Sequence, residues 1–396
     1  MKKLYRLDTW HKLLALRFKS LKWRHGVLIA LLILVTLTKM IPLWGFIYTT
    51  RIYPVIGTLL SPISGFFPFA VGDIFIALSI AWVILYPIYE IGLRKKRAFG
   101  RVAEYLLWVY AWFYIAWGLN YSQPNIYYRI GMKPVEVSKA KFKKFAYQYA
   151  DSINALSNAS LSNASLSNAS LCNARKSISP DSIVDDALKN RVRDAVLKEY
   201  NKLGYREGIN RPFNQHPHAK TMVFTPISSM SGVTGSMGPF FCEFTLNGDI
   251  LAHDYPATYA HEFAHFLGVA NEGEANFYSY IVCTASADKQ VRFSGYYHIF
   301  FHVLNNVFDI LGEKEGERFL KYIRPEIIQL AKSDRHYWLS KRCKALDAAQ
   351  DFIFDFYLKG NHVAEGRKSY SGVIGLILAW NEKKETIQKY KSKKLR

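Results

Sequence analysis

One short segment of this chain holds the residues best suited to do chemistry. His261-Glu262-Phe263-Ala264-His265 has the form H-E-x-x-H. On a helix, residues four apart share a face, so both imidazoles can turn toward a single metal ion. Glu262 lies beside that face, where a carboxylate can take a proton from a water polarised by the metal. Gly268 offers a stop for the helix, and Asn271-Glu272-Gly273-Glu274-Ala275-Asn276 opens a second one. A hydrolytic zinc site needs three protein ligands and one open position. Glu272 is the expected third ligand. Asn276 lies four residues on, on the same helical face, and is expected to hydrogen-bond a ligating imidazole. Glu274 points away, about 200° around the helix, and is the second choice. The expected cofactor is Zn2+, with His261, His265 and Glu272 as metal ligands and Glu262 as the catalytic base.

Other residues carry weaker signals. His298 and His302 are also four apart, but no carboxylate lies near them in sequence, so they read as packing on a helix. A zinc hydrolase needs a donor for the developing oxyanion; His253, Tyr259 and Tyr296 are all candidates and the sequence does not choose among them. Glu243 sits on an expected strand, either lining the cleft or facing water. The four cysteines, Cys172, Cys242, Cys283 and Cys343, form no CxxC pair, which excludes a zinc knuckle or a thioredoxin-like site. Cys242 and Cys283 read as small buried hydrophobes. There is no Walker loop, dinucleotide fingerprint or nucleic-acid module.

The elements that must position the motif read as α+β. Residues 180–210 have helical periodicity. Thr221–Thr225 and Phe240–Leu246 read as strands, separated by the turn-rich run SSMSGVTGSMG. Asp254–Leu267, Glu272–Ala287, Tyr296–Asp309, Glu313–Ala331 and Ala348–Leu358 read as helices. Upstream, Asn154–Ala174 repeats LSNAS with a period of five, which fits neither helix nor strand, and reads as a mobile insertion.

The rest of the chain points to a membrane. Of its 396 residues, 50% are hydrophobic and 15% aromatic, which excludes global disorder. A mean hydropathy of −0.03 excludes a wholly embedded transporter. The net charge of +21 is concentrated beside apolar stretches and in the tail Asn381–Arg396. It is therefore a topology signal rather than one for nucleic acid. Met1–His25 holds eight Lys/Arg among leucines and aromatics and reads as a basic segment on an anionic inner leaflet. Three apolar stretches are expected to span: Gly26–Thr50, Ile74–Tyr89 and Tyr105–Tyr128. Ile52–Gly72 is uncharged but holds Pro54, Pro62 and Pro68 with Gly57 and Gly65, and reads as an interfacial or re-entrant loop. Five Lys/Arg between Arg94 and Arg101 follow the second span. By the positive-inside rule both basic segments are cytoplasmic, and three spans place the rest of the chain outside. The expected organisation is a basic cytoplasmic segment at 1–25, a membrane region at 26–121, a linker at 122–180, a catalytic domain at 181–380 and a basic tail at 381–396.

HExxH followed by ExxxN on the next helix resembles gluzincin-type metallopeptidases such as thermolysin, HtpX, CAAX-prenyl endopeptidase and the ImmA/IrrE-like peptidases. Two features depart from that pattern. Asn276 stands where thermolysin-like and HtpX-like proteins have Asp, and only six residues separate His265 from Glu272. The whole chain resembles an uncharacterised bacterial multi-span membrane family of unknown function. The marks are Pro68-Phe69 with Gly72-Asp73, Trp117-Gly118-Leu119-Asn120-Tyr121, HEFAHFLG, EGEANF, Ser294-Gly295-Tyr296 and Ser369-Tyr370-Ser371-Gly372-Val373. The resemblance implies a zincin-like catalytic domain and no particular substrate. The expectation is an integral-membrane zinc metallopeptidase with an extracytoplasmic active site, acting on a peptide or protein, with membrane lipids as its other partner. A zincin-fold sensor and a zinc hydrolase of cell-envelope amides are the alternatives.

Overall fold

The computed structural model describes residues 22–92, 98–135, 138–161, 184–215, 217, 219–343 and 372–394. The expected basic segment up to residue 21, most of the LSNAS repeat and the expected helix Ala348–Leu358 lie outside them. The described chain is mostly helical with one small sheet. Its principal helices are α1 (Trp23–Met40), α2 (Tyr53–Gly65), α3 (Val71–Gly92), α4 (Ala98–Ala116), α5 (Lys139–Leu161) and α6 (Asp186–Tyr200). They continue as α7 (Thr225–Met230), α8 (Tyr255–Phe266), α9 (Glu272–Ala285), α10 (Lys289–His298), α11 (Glu313–Tyr322), α12 (Pro325–Lys341) and α13 (Gly372–Lys394). Short helical turns join several of these.

α1, α3 and α4 form a bundle. Arg24 pairs with Glu104 at the start of both α1 and α4, and Lys39 donates to the Tyr114 hydroxyl at their ends, so the two run parallel. Ser79 meets Tyr105, and Arg101 donates to Tyr86, so α3 runs antiparallel to α4. Two helices are long and apolar enough to cross a membrane, α1 and α3. The expected third span over Tyr105–Tyr128 is corrected. Its helix starts at Ala98, carries Arg101 and Glu104 in its first turns and ends at Ala116. The remaining residues leave the bundle: Trp117 packs in the core and Gly118–Ser122 form a 3-10 turn. Of the Trp and Tyr residues in that stretch, Tyr114 and Trp117 are buried, whereas Tyr110, Trp112 and Tyr128 are exposed.

Ile52–Gly72 is likewise no loop. Pro54 sits in the first turn of α2, where its missing N–H costs nothing. Pro62 lies inside the helix, and Pro68 follows its end. The expected linker also contains structure. Phe142, Ala146, Tyr149, Ala150 and Ile153 recur at helical spacing along α5 and are buried in the main core. The first LSNAS copy, Leu156–Ser160, belongs to the end of that helix.

The sheet has the order β1 (Lys220–Thr221), β3 (Glu243–Leu246), β2 (Gly235–Gly238). β1 pairs parallel with β3, and β2 pairs antiparallel with it, Gly235 opposite Leu246 and Gly238 opposite Glu243. β2 lies within the turn-rich run, where glycines mask strand propensity. The expected helices Tyr296–Asp309 and Glu313–Ala331 are each broken, the first after His298 and the second before Pro325.

Candidate metal centre

α8 and α9 lie side by side in the core and bring the motif residues together. Residues from Tyr255 to Phe266 are buried except His261, which is half-buried. Gly268 ends the helix with φ +94°, a left-handed conformation that disfavours any side chain. A Cβ there would also crowd Tyr53 and the Asn120 side-chain oxygen. Helix ends leave carbonyls without partners. Here Trp117 donates to His265 O, Tyr53 to Phe266 O, Asn210 to Leu267 O and Gln123 to Gly268 O. Three of these four donors come from the segments that join and follow the bundle helices. The Asn271 side chain then accepts from Glu274 N and caps α9.

Three ligand-competent atoms converge between the helices. His261 Nε2 lies 3.0 Å from His265 Nε2, and Glu272 Oε2 lies 3.2 Å and 3.4 Å from the two imidazoles respectively. Ligand atoms about 2.0 Å from a tetrahedral ion stand about 3.3 Å apart, so this triangle has the size of one face of a zinc tetrahedron. His265 Nδ1 meets Val269 O at 2.6 Å. A carbonyl only accepts, so Nδ1 carries a proton and Nε2 is the nitrogen turned to the centre. Two imidazole nitrogens and a carboxylate at such spacing repel unless a cation or proton sits among them. The donor set therefore fits zinc.

The electrostatics agree in sign. Burial disfavours the charged form of His265, but Glu272, Glu262 and the Val269 carbonyl outweigh it and raise its pKa to about 9. Burial disfavours the Glu272 carboxylate too, yet the imidazoles hold it far below the usual range. Glu262 is raised by burial, opposed by His261 and His265 and reinforced by Glu272. Its Oε2 is buried without a hydrogen-bond partner among the described residues. Gly235 of β2 faces it, and a Cβ there would collide with the Glu262 carboxylate.

The other sequence-selected residues are placed as follows. Glu274 turns away from the centre into a buried pair with Arg129 and accepts from Ile126 N. Asn276 does not touch either motif histidine; its Oδ1 accepts from His298 Nε2 at 2.9 Å. The His298 ring lies 5.9 Å from that of His261, and burial with His261 and His302 lowers its pKa to about 3. His298 therefore belongs beside the centre, which its distance in sequence from any carboxylate concealed. His253 bonds Asp334 beyond the start of α8, Tyr259 donates to Pro217 O, and Tyr296 packs on Tyr149 and Tyr280. Those contacts commit all three elsewhere, and the single N–H of neutral His298 is itself spent on Asn276. Glu243 neither lines the cleft nor faces water. It is buried against Lys220 at 2.7 Å. Cys242 and Cys283 are buried, as expected.

The model of one protein family, described as "Protein of unknown function (DUF3810)", matches residues 48–378, and the chain belongs to that family. No curated protein and no solved structure matches the chain.

Proposed function

We propose that this member of the DUF3810 family is a membrane-attached, zincin-like zinc metallopeptidase. The observation that carries the reading is the triangle of His261, His265 and Glu272, with edges of 3.0 to 3.4 Å, next to a buried Glu262. A site that only stored metal would have no use for that glutamate. Zinc held by the three residues would supply Lewis acidity, lowering the pKa of a water to about 7. Glu262 accepts a proton from the attacking water and later delivers it to the leaving nitrogen. β2 is an edge strand of the sheet, with no second partner strand among the described residues. A substrate chain added along its outer side by backbone hydrogen bonds passes Gly235 and so Glu262. Gly235, with no side chain, lets β2 lie directly against the Glu262 carboxylate. Neutral His298 spends its one N–H on Asn276 and lines the cleft beside His261.

The proposed setting follows from charge and direction. Arg24 and Arg101 mark one end of the bundle. The domain joins the other end, where Trp112 donates to Phe240 O and Gly72 N to Glu243. With the basic end cytoplasmic, α4, parallel to α1 in the bundle, carries the chain back to the other end, and the domain faces the extracytoplasmic side. The test is metal analysis and peptide hydrolysis by the purified full-length protein. One zinc per chain and hydrolysis that Glu262→Gln abolishes, with zinc retained, are expected. Normal turnover by Glu262→Gln would remove the proposed base.

A further inference from the structure

α2 is inside out for a helix in water. Its inward face is small or polar: Tyr53, Gly57, Ser61 and Ser64 are buried against the domain, and Gly57 packs on Phe213 so closely that a Cβ would collide. Ser61 accepts from Asn214, and the Ser64 carbonyl accepts from Lys220. Its outward face is Ile52, Val55, Leu59, Ile63 and Phe66, all exposed, with Leu59 at 63% and Phe66 at 83%. Soluble proteins rarely leave so long an apolar stripe in water. No Lys, Arg, Asp or Glu occurs between Ile52 and Gly72. The stripe continues into the exposed Leu78, Leu85 and Ile88 of α3. It also continues onto the domain: Val223 N donates to Asp73 in the first turn of α3, and Phe224, Ile227 and Met230 are exposed alongside. The same side chains suit one occupant, the acyl chains and interface of a bilayer.

Across this apolar band runs the edge strand β2. At one end Gly235 abuts Glu262; at the other, Gly238 lies 4.0 Å from where a Cβ on Gly72 would stand, in the first turn of α3. Four residues of strand cover roughly 10 Å. Lys220 fixes this geometry. Its ammonium donates to Ser64 O, Phe69 O and Glu243, while the other Glu243 oxygen accepts from Gly72 N. Helix α2, the turn into α3 and the sheet are thereby tied together.

We infer that the substrates are membrane-anchored polypeptides, cut within a few residues of the point where they leave the bilayer, on a site whose mouth α2 and α7 seat at the membrane surface. The inference rests on the peptidase reading and adds the substrate class. A chain laid along β2 from Glu262 toward Gly238 arrives at the start of α3, where the bilayer begins. A tethered substrate gains local concentration at such a site, and a free peptide does not.

The experiment uses the full-length protein in nanodiscs. A fluorophore is placed at Leu59→Cys or Ile227→Cys, with Lys314→Cys as the charged-surface control, all in a Cys172→Ser/Cys343→Ser background. Lipids brominated along the acyl chain should quench the first two probes and spare the third. In parallel, one cleavable sequence is offered free and fused to an apolar transmembrane helix. The tethered form should be hydrolysed at least about tenfold more efficiently, with cleavage close to its anchor. Absence of quenching at both sites, or equal turnover of the two peptides, overturns the inference. Quenching without cleavage of either peptide rejects the peptidase reading and leaves the bilayer contact standing.

Discussion

Glu272 and Glu274 show how two carboxylates two residues apart on one helix acquire different work. Glu272 faces two imidazoles, while Glu274 is enclosed with Arg129 and a backbone N–H. Substituting either should therefore fail differently. Glu272→Gln should lower zinc occupancy in metal analysis while leaving the fold near its original stability. Glu274→Gln leaves the Arg129 charge buried without its partner and should cost about 3–5 kcal/mol, read as a fall in Tm, with zinc retained in the folded fraction. A Glu274 variant that loses metal without losing stability would reverse the assignment of the third ligand. His298→Gln tests a role in shaping the cleft: KM should rise while kcat and zinc occupancy change little. A fall in kcat of about 10²-fold at unchanged KM would show instead that His298 acts on the transition state.

At the scale of elements, the buried pair of Lys220 and Glu243 holds the turn between α2 and α3 on the sheet. All three ammonium donors are used, on Ser64 O, Phe69 O and Glu243. Lys220→Met should destabilise by about 3–5 kcal/mol, because a lone carboxylate stays buried. Lys220→Met/Glu243→Leu should recover part of that loss in thermal unfolding. A double variant no more stable than the single would show that the backbone contacts, not the charges, are what matter. These elements also mark what the sequence discloses. The helices carrying His261 and Glu272 are legible, since the motif, Gly268 and the Asn271 cap are all local signals. The partner of Asn276 is not: His298 arrives from α10, and only the packing of α9 on α10 brings it within 2.9 Å. β2 is illegible because its glycines are there for closeness to Glu262 and Glu243 and not for strand propensity. The prolines around α2 disguise it as a loop, yet two of them sit where a helix tolerates them, at its start and beyond its end.

For the whole molecule, bundle and domain cannot be treated as anchor and cargo. The carbonyls that close α8 take their hydrogen bonds from Tyr53, Trp117 and Gln123, next to the bundle helices. One apolar core runs from Val35 of α1 through Trp117 to the buried face of α8. A domain cut away from the bundle would expose those carbonyls and lose the packing that orients His265, so an isolated fragment beginning at residue 181 is expected to bind zinc poorly. The same union bears on the proposed topology. The domain lies at the end of the bundle opposite Arg24 and Arg101. In sequence, eight Lys/Arg in Met1–His25 adjoin the start of α1 and five between Arg94 and Arg101 adjoin the start of α4. Each would resist translocation, and because α1 and α4 run parallel the two effects add. Green fluorescent protein at the N-terminus should therefore fluoresce, and alkaline phosphatase at the C-terminus should be active. A fluorescent C-terminal fusion with an inactive phosphatase would place the domain in the cytoplasm. The positive-inside rule would then have been overridden by the charges of the domain itself, which carry a further excess of Lys/Arg over Asp/Glu in the tail Asn381–Arg396.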